Sequence, residues 1–123
     1  MYTIHKEFHF SASHQLHGLR EGHQCGRLHG HNYVVEVELA GETLTDVGFI
    51  RDYEELDDVK RFIDREWDHR HPNEWFAKNR GHNVNPSAEQ MAWTVFDRFQ
   101  SEYPEMVAVR VRETEKTCAE YRP

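Results

Sequence analysis

The sequence is poor in several things, and each shortage closes a class of function. No apolar run approaches the roughly 20 residues that cross a bilayer. The opening stretch, MYTIHKEFHF, lacks the apolar core of a secretion signal, so a cytoplasmic protein with no membrane partner is expected. Only two cysteines occur, Cys25 and Cys118, and in a reducing compartment they are expected to be thiols rather than a disulfide. Positive charge is scarce: 15 Lys and Arg stand against 22 Asp and Glu, a formal net charge of −7. That balance argues against a nucleic-acid partner held through phosphates, and against anionic lipid surfaces. Repeats, linkers and low-complexity stretches are absent, so residues 1–123 are expected to form one domain. A chain of this size buries only about two-thirds of its unfolded surface, so metal binding or oligomerisation would add usefully to its stability.

What remains has a clear pattern. Residues 4–12 alternate, with Ile4, Phe8, Phe10 and Ala12 on one parity and His5, Glu7 and His9 on the other. Residues 33–39 do the same, with Tyr33, Val35, Val37 and Leu39 opposite Glu36 and Glu38. Both runs predict half-buried strands. Asp52 with Glu55 forms a capping box ahead of Tyr53, Leu56, Val59, Phe62, Ile63 and Trp67, which fall at helical spacing. A polar loop is expected over roughly 68–85. Pro86 and Ser87 then open a second helix along Ala88, Ala92, Val95, Phe96 and Phe99, closing near Tyr103 and Pro104. A last strand places Val107, Val109 and Val111 on one face. The order strand, strand, helix, helix, strand predicts an α+β fold, with an antiparallel sheet and two helices packed on one face.

Histidine is abundant, with ten in the chain. His29 and His31, in the stretch CGRLHGHNY, share parity with Val35 and Val37. If the second strand begins near His29, both imidazoles leave one face at its entry. His14 shares parity with Phe8, Phe10 and Ala12, and leaves the corresponding face at the exit of the first strand. Hairpin neighbours would bring the three rings together. Three neutral imidazoles with an open fourth position suit catalytic zinc. Cys25 then has two readings: a fourth, closing ligand of a structural zinc, or a free thiolate beside the metal that acts as base or nucleophile. Asp68 and His69, just past the first helix, are either an acid–base pair or simply helix-end polar residues. Glu113 continues the parity of Val109 and Val111; it either meets a ligand with paired N–H donors or sits exposed at the strand end.

Five segments carry a resemblance in order along nearly the whole chain: FHFSASH at 8–14, CGRLHGHNY at 25–33, GFIRDYEELD at 48–57, DH at 68–69, and NPSAEQMA with RETEKT near the end. The chain resembles the 6-pyruvoyl-tetrahydropterin synthase / 6-carboxytetrahydropterin synthase family. The resemblance implies the tunnelling fold, in which subunits assemble as trimers or hexamers around a β-barrel with active sites at subunit interfaces. It implies Zn2+ held by His14, His29 and His31, and Cys25 as the proton-abstracting thiolate. It implies Asp68 and His69 as the partner acid–base pair, and Glu113 as the anchor of a pterin ring with Ser87 and Glu89 nearby. The implied partner is a small-molecule pterin triphosphate, 7,8-dihydroneopterin triphosphate. The carboxy-forming branch has three residues between its cysteine and the HGH, as between Cys25 and His29 here; the animal pyruvoyl-forming enzymes resemble C-x5-H-G-H. The stretch RHPNEWFAKNRGHNVN at 70–85 departs from the family, being longer and more basic. Arg27, Lys78, Arg80 and Lys116 are the candidate cations for the triphosphate.

Overall fold

The computed structural model describes all of Met1–Pro123. Four strands form one antiparallel sheet in the order β1-β2-β3-β4: β1 (Tyr2–His14), β2 (His29–Gly41), β3 (Met106–Thr114) and β4 (Thr117–Tyr121). Between β2 and β3 come three helices, α1 (Asp57–Glu66), α2 (Pro72–Asn79) and α3 (Ala88–Phe99). No helix is long and apolar enough to cross a membrane.

Alternation builds the sheet. The β1–β2 register runs from Tyr2 opposite Gly41 to His14 opposite His29, without a break. Phe8, Phe10, Val35, Val37, Leu39, Val109 and Val111 therefore share one face, and they join residues of all three helices in a single core. Phe10 stacks on Tyr33 at 4.7 Å between ring centres, and Trp67 packs against Phe10 and Phe62. The opposite face is charged: Arg110 donates to Glu36 at 2.8 Å and to Glu38 at 2.7 Å.

Four local expectations need correction. There are three α-helices rather than two, because residues 72–79 inside the expected polar loop are helical. Pro72 starts that helix, where a missing N–H costs nothing. Phe76 is fully buried, with Trp75 partly buried against the core, too short an apolar pattern to announce a helix. The Asp52 carboxylate caps a 3-10 turn, Tyr53–Leu56, by accepting from Glu54 N at 2.9 Å. The α-helix begins only at Asp57, and Tyr53 is exposed rather than on its apolar face. Finally, a bulge between β2 and β3 pairs Leu39 with Met106 but Glu38 with Ala108. The extra residue is Val107, so Met106 takes the core position that plain alternation assigns to Val107.

Candidate metal centre

The uninterrupted β1–β2 register decides where the imidazoles go. His14 and His29 are cross-strand partners, and His31 lies two residues further along β2 on the same face. One ring nitrogen from each of His14, His29 and His31 lies within 4.8 Å of the other two. His14 Nε2 and His29 Nε2 approach to 2.9 Å. The convergence that strand parity predicts is present. No thiol belongs to the group.

Neighbouring groups fix the ring orientations. His29 Nδ1 meets the Arg27 carbonyl at 2.6 Å, and His14 Nδ1 meets the Pro86 carbonyl at 3.0 Å. An Nδ1–H donated to a carbonyl leaves the Nε2 lone pair free for a metal. The Tyr33 hydroxyl lies 3.0 Å from His14 Nδ1. Burial pushes the His14 ring down to about 4, although the Pro86 carbonyl acts to raise it. Burial also lowers His31, against the pull of Glu113. Both shifts favour the neutral form, which is the form that ligates.

Glu113 closes one side. Its Oε2 lies 3.8 Å from His31 Nε2 and 3.9 Å from His14 Nε2, and this buried oxygen has no hydrogen-bond partner. A carboxylate oxygen and two imidazole lone pairs facing one another are mutually repulsive unless a cation or a donor-bearing ligand lies among them. The donor set of three imidazoles fits a zinc-type ion.

Cys25 is not part of the ligand group and lies half-buried in the 3-10 turn Gln24–Gly26. The His23 ring accepts from Cys25 N at 3.0 Å, and Leu16 N donates to the Cys25 carbonyl at 3.0 Å. Both cysteines are free thiols.

Asp68 and His69 do make contact. Asp68 Oδ1 lies 2.9 Å from His69 Nδ1 and accepts from Ser11 N at 3.1 Å. Burial alone would raise the Asp68 carboxyl, but the Ser11 amide and the His69 ring hold it below the usual carboxylate range. His69 has a left-handed φ of 56°, a conformation that costs a non-glycine residue free energy. Its amide donates to Ser11 O, and Ser13 N donates to Arg70 O, so residues 69 and 70 dock on the outer edge of β1. The His69 ring is 82% exposed. A cavity of about 640 Å³ is lined in part by Ser11, Ser13, His31, His69 and His71.

Ser87 and Glu89 lie at the start of α3. The Ser87 hydroxyl is occupied as its N-cap, accepting from Gln90 N at 3.2 Å, and Glu89 is exposed. Arg80 is committed elsewhere: its guanidinium donates to Gln90 Oε1 and Thr94 Oγ1 and stacks 4.2 Å over Trp93. Sequence reasoning passed over Tyr33 as a neighbour of the metal centre, although its parity with His31 placed it on the right face. It also missed Pro86, Asn73 and Asn85, which act through backbone contacts that leave no pattern in the sequence.

Comparison with known proteins extends the local picture to the whole chain. The family model described as 6-pyruvoyl tetrahydropterin synthase matches residues 3–123. The 6-carboxy-5,6,7,8-tetrahydropterin synthase of Bacillus subtilis is 32% identical over 130 residues, covering 99% of this chain and 86% of that protein. The 6-pyruvoyl tetrahydrobiopterin synthase of Drosophila melanogaster is 30% identical over 130 residues, covering 92% and 74%. The structure of Caenorhabditis elegans 6-pyruvoyl tetrahydropterin synthase superposes with a TM-score of 0.83 at 26% identity, covering 99% of this chain and 95% of that one. The same four-stranded sheet with its three helices is therefore the tunnelling fold, and this chain belongs to the 6-pyruvoyl tetrahydropterin synthase family of pterin-synthesising enzymes.

Proposed function

We propose that the protein is a zinc-dependent 6-carboxy-5,6,7,8-tetrahydropterin synthase. It converts 7,8-dihydroneopterin triphosphate and water to 6-carboxytetrahydropterin, acetaldehyde and triphosphate, a carbon–carbon lyase step of 7-deazapurine (queuosine-type) biosynthesis. The observation that carries this reading is the division of labour in CGRLHGHNY: two imidazoles join His14, while the thiol, separated from them by three residues, stays outside the ligand group. A closed structural site would draw that thiol in as fourth ligand. The three-residue gap supports the carboxy-forming branch, as does the Bacillus subtilis relative.

His14, His29 and His31 would hold the ion, whose chemistry when bound is to polarise the two side-chain hydroxyls of the substrate as a Lewis acid. Cys25 takes a proton from the substrate side chain. Asp68 holds the Nδ1–H of His69, which leaves Nε2 to give or accept a proton. Glu113 accepts from the amino and ring N–H groups of the pterin, and that charge-assisted pair supplies the partner its buried oxygen lacks. The result is catalysis by positioning.

The outward His69 ring supports an active site completed between subunits. So does the open outer edge of β1, which suits assembly of trimers or hexamers around a barrel. Incubation with 7,8-dihydroneopterin triphosphate tests the reading. Acetaldehyde and a 6-carboxy product are expected; triphosphate elimination alone, with a 6-pyruvoyl product, would reassign the chain to the other branch. Cys25→Ala should keep zinc and lose turnover, and loss of zinc in that variant would favour a four-ligand structural module instead.

A further inference from the structure

Just past His14 the chain leaves the metal centre through residues 15–17, and two asparagine side chains grip this short stretch. Asn73 Oδ1 accepts from Gln15 N at 2.9 Å while its Nδ2 donates to Gln15 O at 2.7 Å. Asn85 repeats the pattern on His17, accepting from N at 2.9 Å and donating to O at 2.8 Å. A primary amide carries a donor and an acceptor side by side, so each contact imitates a two-bond rung of an antiparallel ladder. These rungs begin where the pairing of β1 with β2 has ended, at His14. On its other side the same stretch holds the thiol's turn. Leu16 N donates to the Cys25 carbonyl at 3.0 Å, and Gln15 Nε2 donates to the Gly26 carbonyl at 2.8 Å.

We propose that Asn73 and Asn85 are positioning residues for Cys25. They fix residues 15–17, and through Gln15 and Leu16 they hold the thiol in place relative to the imidazoles. Asn73, in the segment that departs most from the family, thereby helps to set the geometry of the proton-transfer group. The inference rests on the reading of Cys25 as the reactive thiol. The His29 and His14 rings are oriented by the Arg27 and Pro86 carbonyls, not by either asparagine. Asn85 adjoins Pro86, so Asn73 is the cleaner probe.

The test uses zinc-loaded full-length protein in a Cys118→Ser background, so that Cys25 is the only thiol. Asn73→Ala should retain its zinc, lose about 10- to 100-fold in kcat with little change in KM, and show a several-fold altered rate of Cys25 alkylation by iodoacetamide. Asn73→Asp keeps the acceptor and loses the donor, and should fall between; it also serves if the alanine variant does not fold. An alkylation rate and kcat equal to the parent in both variants would overturn the proposal. So would loss of zinc at an unchanged alkylation rate, which would make the asparagines supports of the metal. If the parent protein fails to turn over the pterin triphosphate, the reading of its function falls, and the alkylation rates still decide the positioning claim.

Discussion

At the scale of single residues, His14 carries the most at the metal centre. It is buried to 1% exposure, and its Nδ1 faces both the Pro86 carbonyl and the Tyr33 hydroxyl. Partners of this kind orient a ligand and raise its basicity, and removing one commonly costs 10- to 100-fold in metal affinity. Tyr33→Phe keeps the ring that stacks on Phe10 and deletes only the hydroxyl. It should therefore weaken zinc binding by about tenfold in chelator competition without unfolding the protein. The same burial has a consequence for acid stability once the metal is stripped. His14 titrates near 6.5 when unfolded and near 4 when folded, so between those values the unfolded chain binds the extra proton. Stability of the metal-free protein should thus be full above about pH 6.5 and decline as pH falls toward 4, by on the order of 3 kcal/mol from this group. Thermal melts in chelator across that range read the slope, and a His14→Phe variant should flatten it.

At the scale of elements, α3 shows how one side chain can be claimed by two roles. Ser87 lies in the segment that the family resemblance assigns to the pterin pocket, yet its hydroxyl caps the helix. An N-cap serine replaced by alanine costs about 1 kcal/mol, whereas glycine costs only a few tenths. Ser87→Ala should lower the melting temperature and Ser87→Gly should barely change it. If both variants melt like the parent while KM rises, the hydroxyl serves substrate rather than the helix. Legibility in the sequence follows the range of the forces involved. Strand parity is local and strict, so the facing of His14, His29, His31 and Tyr33 was readable before any contact was known. The α3 cap and its apolar stripe are local too. The α2 helix was not readable, because its eight residues earn their place through Trp75 and Phe76 against a core formed elsewhere. The Val107 bulge was hidden for a similar reason, since it arises from pairing with β2 rather than from the residues of β3. The asparagine rungs join positions 58 and 68 residues apart through backbone atoms, which carry no sequence signature.

At the scale of the whole molecule, the decisive feature is the outer edge of β1. Ser11 and Ser13 send their amides outward, to the Asp68 carboxylate and the Arg70 carbonyl. In an antiparallel ladder, residues of one parity face one neighbour, so the amides of Thr3, His5, Glu7 and His9 point to the same side. There is no fifth strand on that side. The first part of the edge is therefore open, while the last part is covered by the very segment that bears Asp68 and His69. β4 ends the sheet on the other side, short and likewise without an outer neighbour. Natural sheets rarely leave a long regular edge uncovered, and pairing β1 of one copy with β4 of the next satisfies both edges. Such pairing would carry the exposed His69 ring of one copy to the boundary with another. Glu7→Pro tests this without breaking the β1–β2 ladder, because the N–H it removes is one that points outward, a position where an edge strand tolerates proline. Sedimentation of the parent protein should give a trimer or a multiple of it, while Glu7→Pro should shift toward the 14.7 kDa monomer and lose turnover in parallel. If Glu7→Pro keeps its assembly, the β1 edge is not the contact; if it becomes a monomer and stays fully active, the site is complete within one chain and His69 acts on its own metal centre.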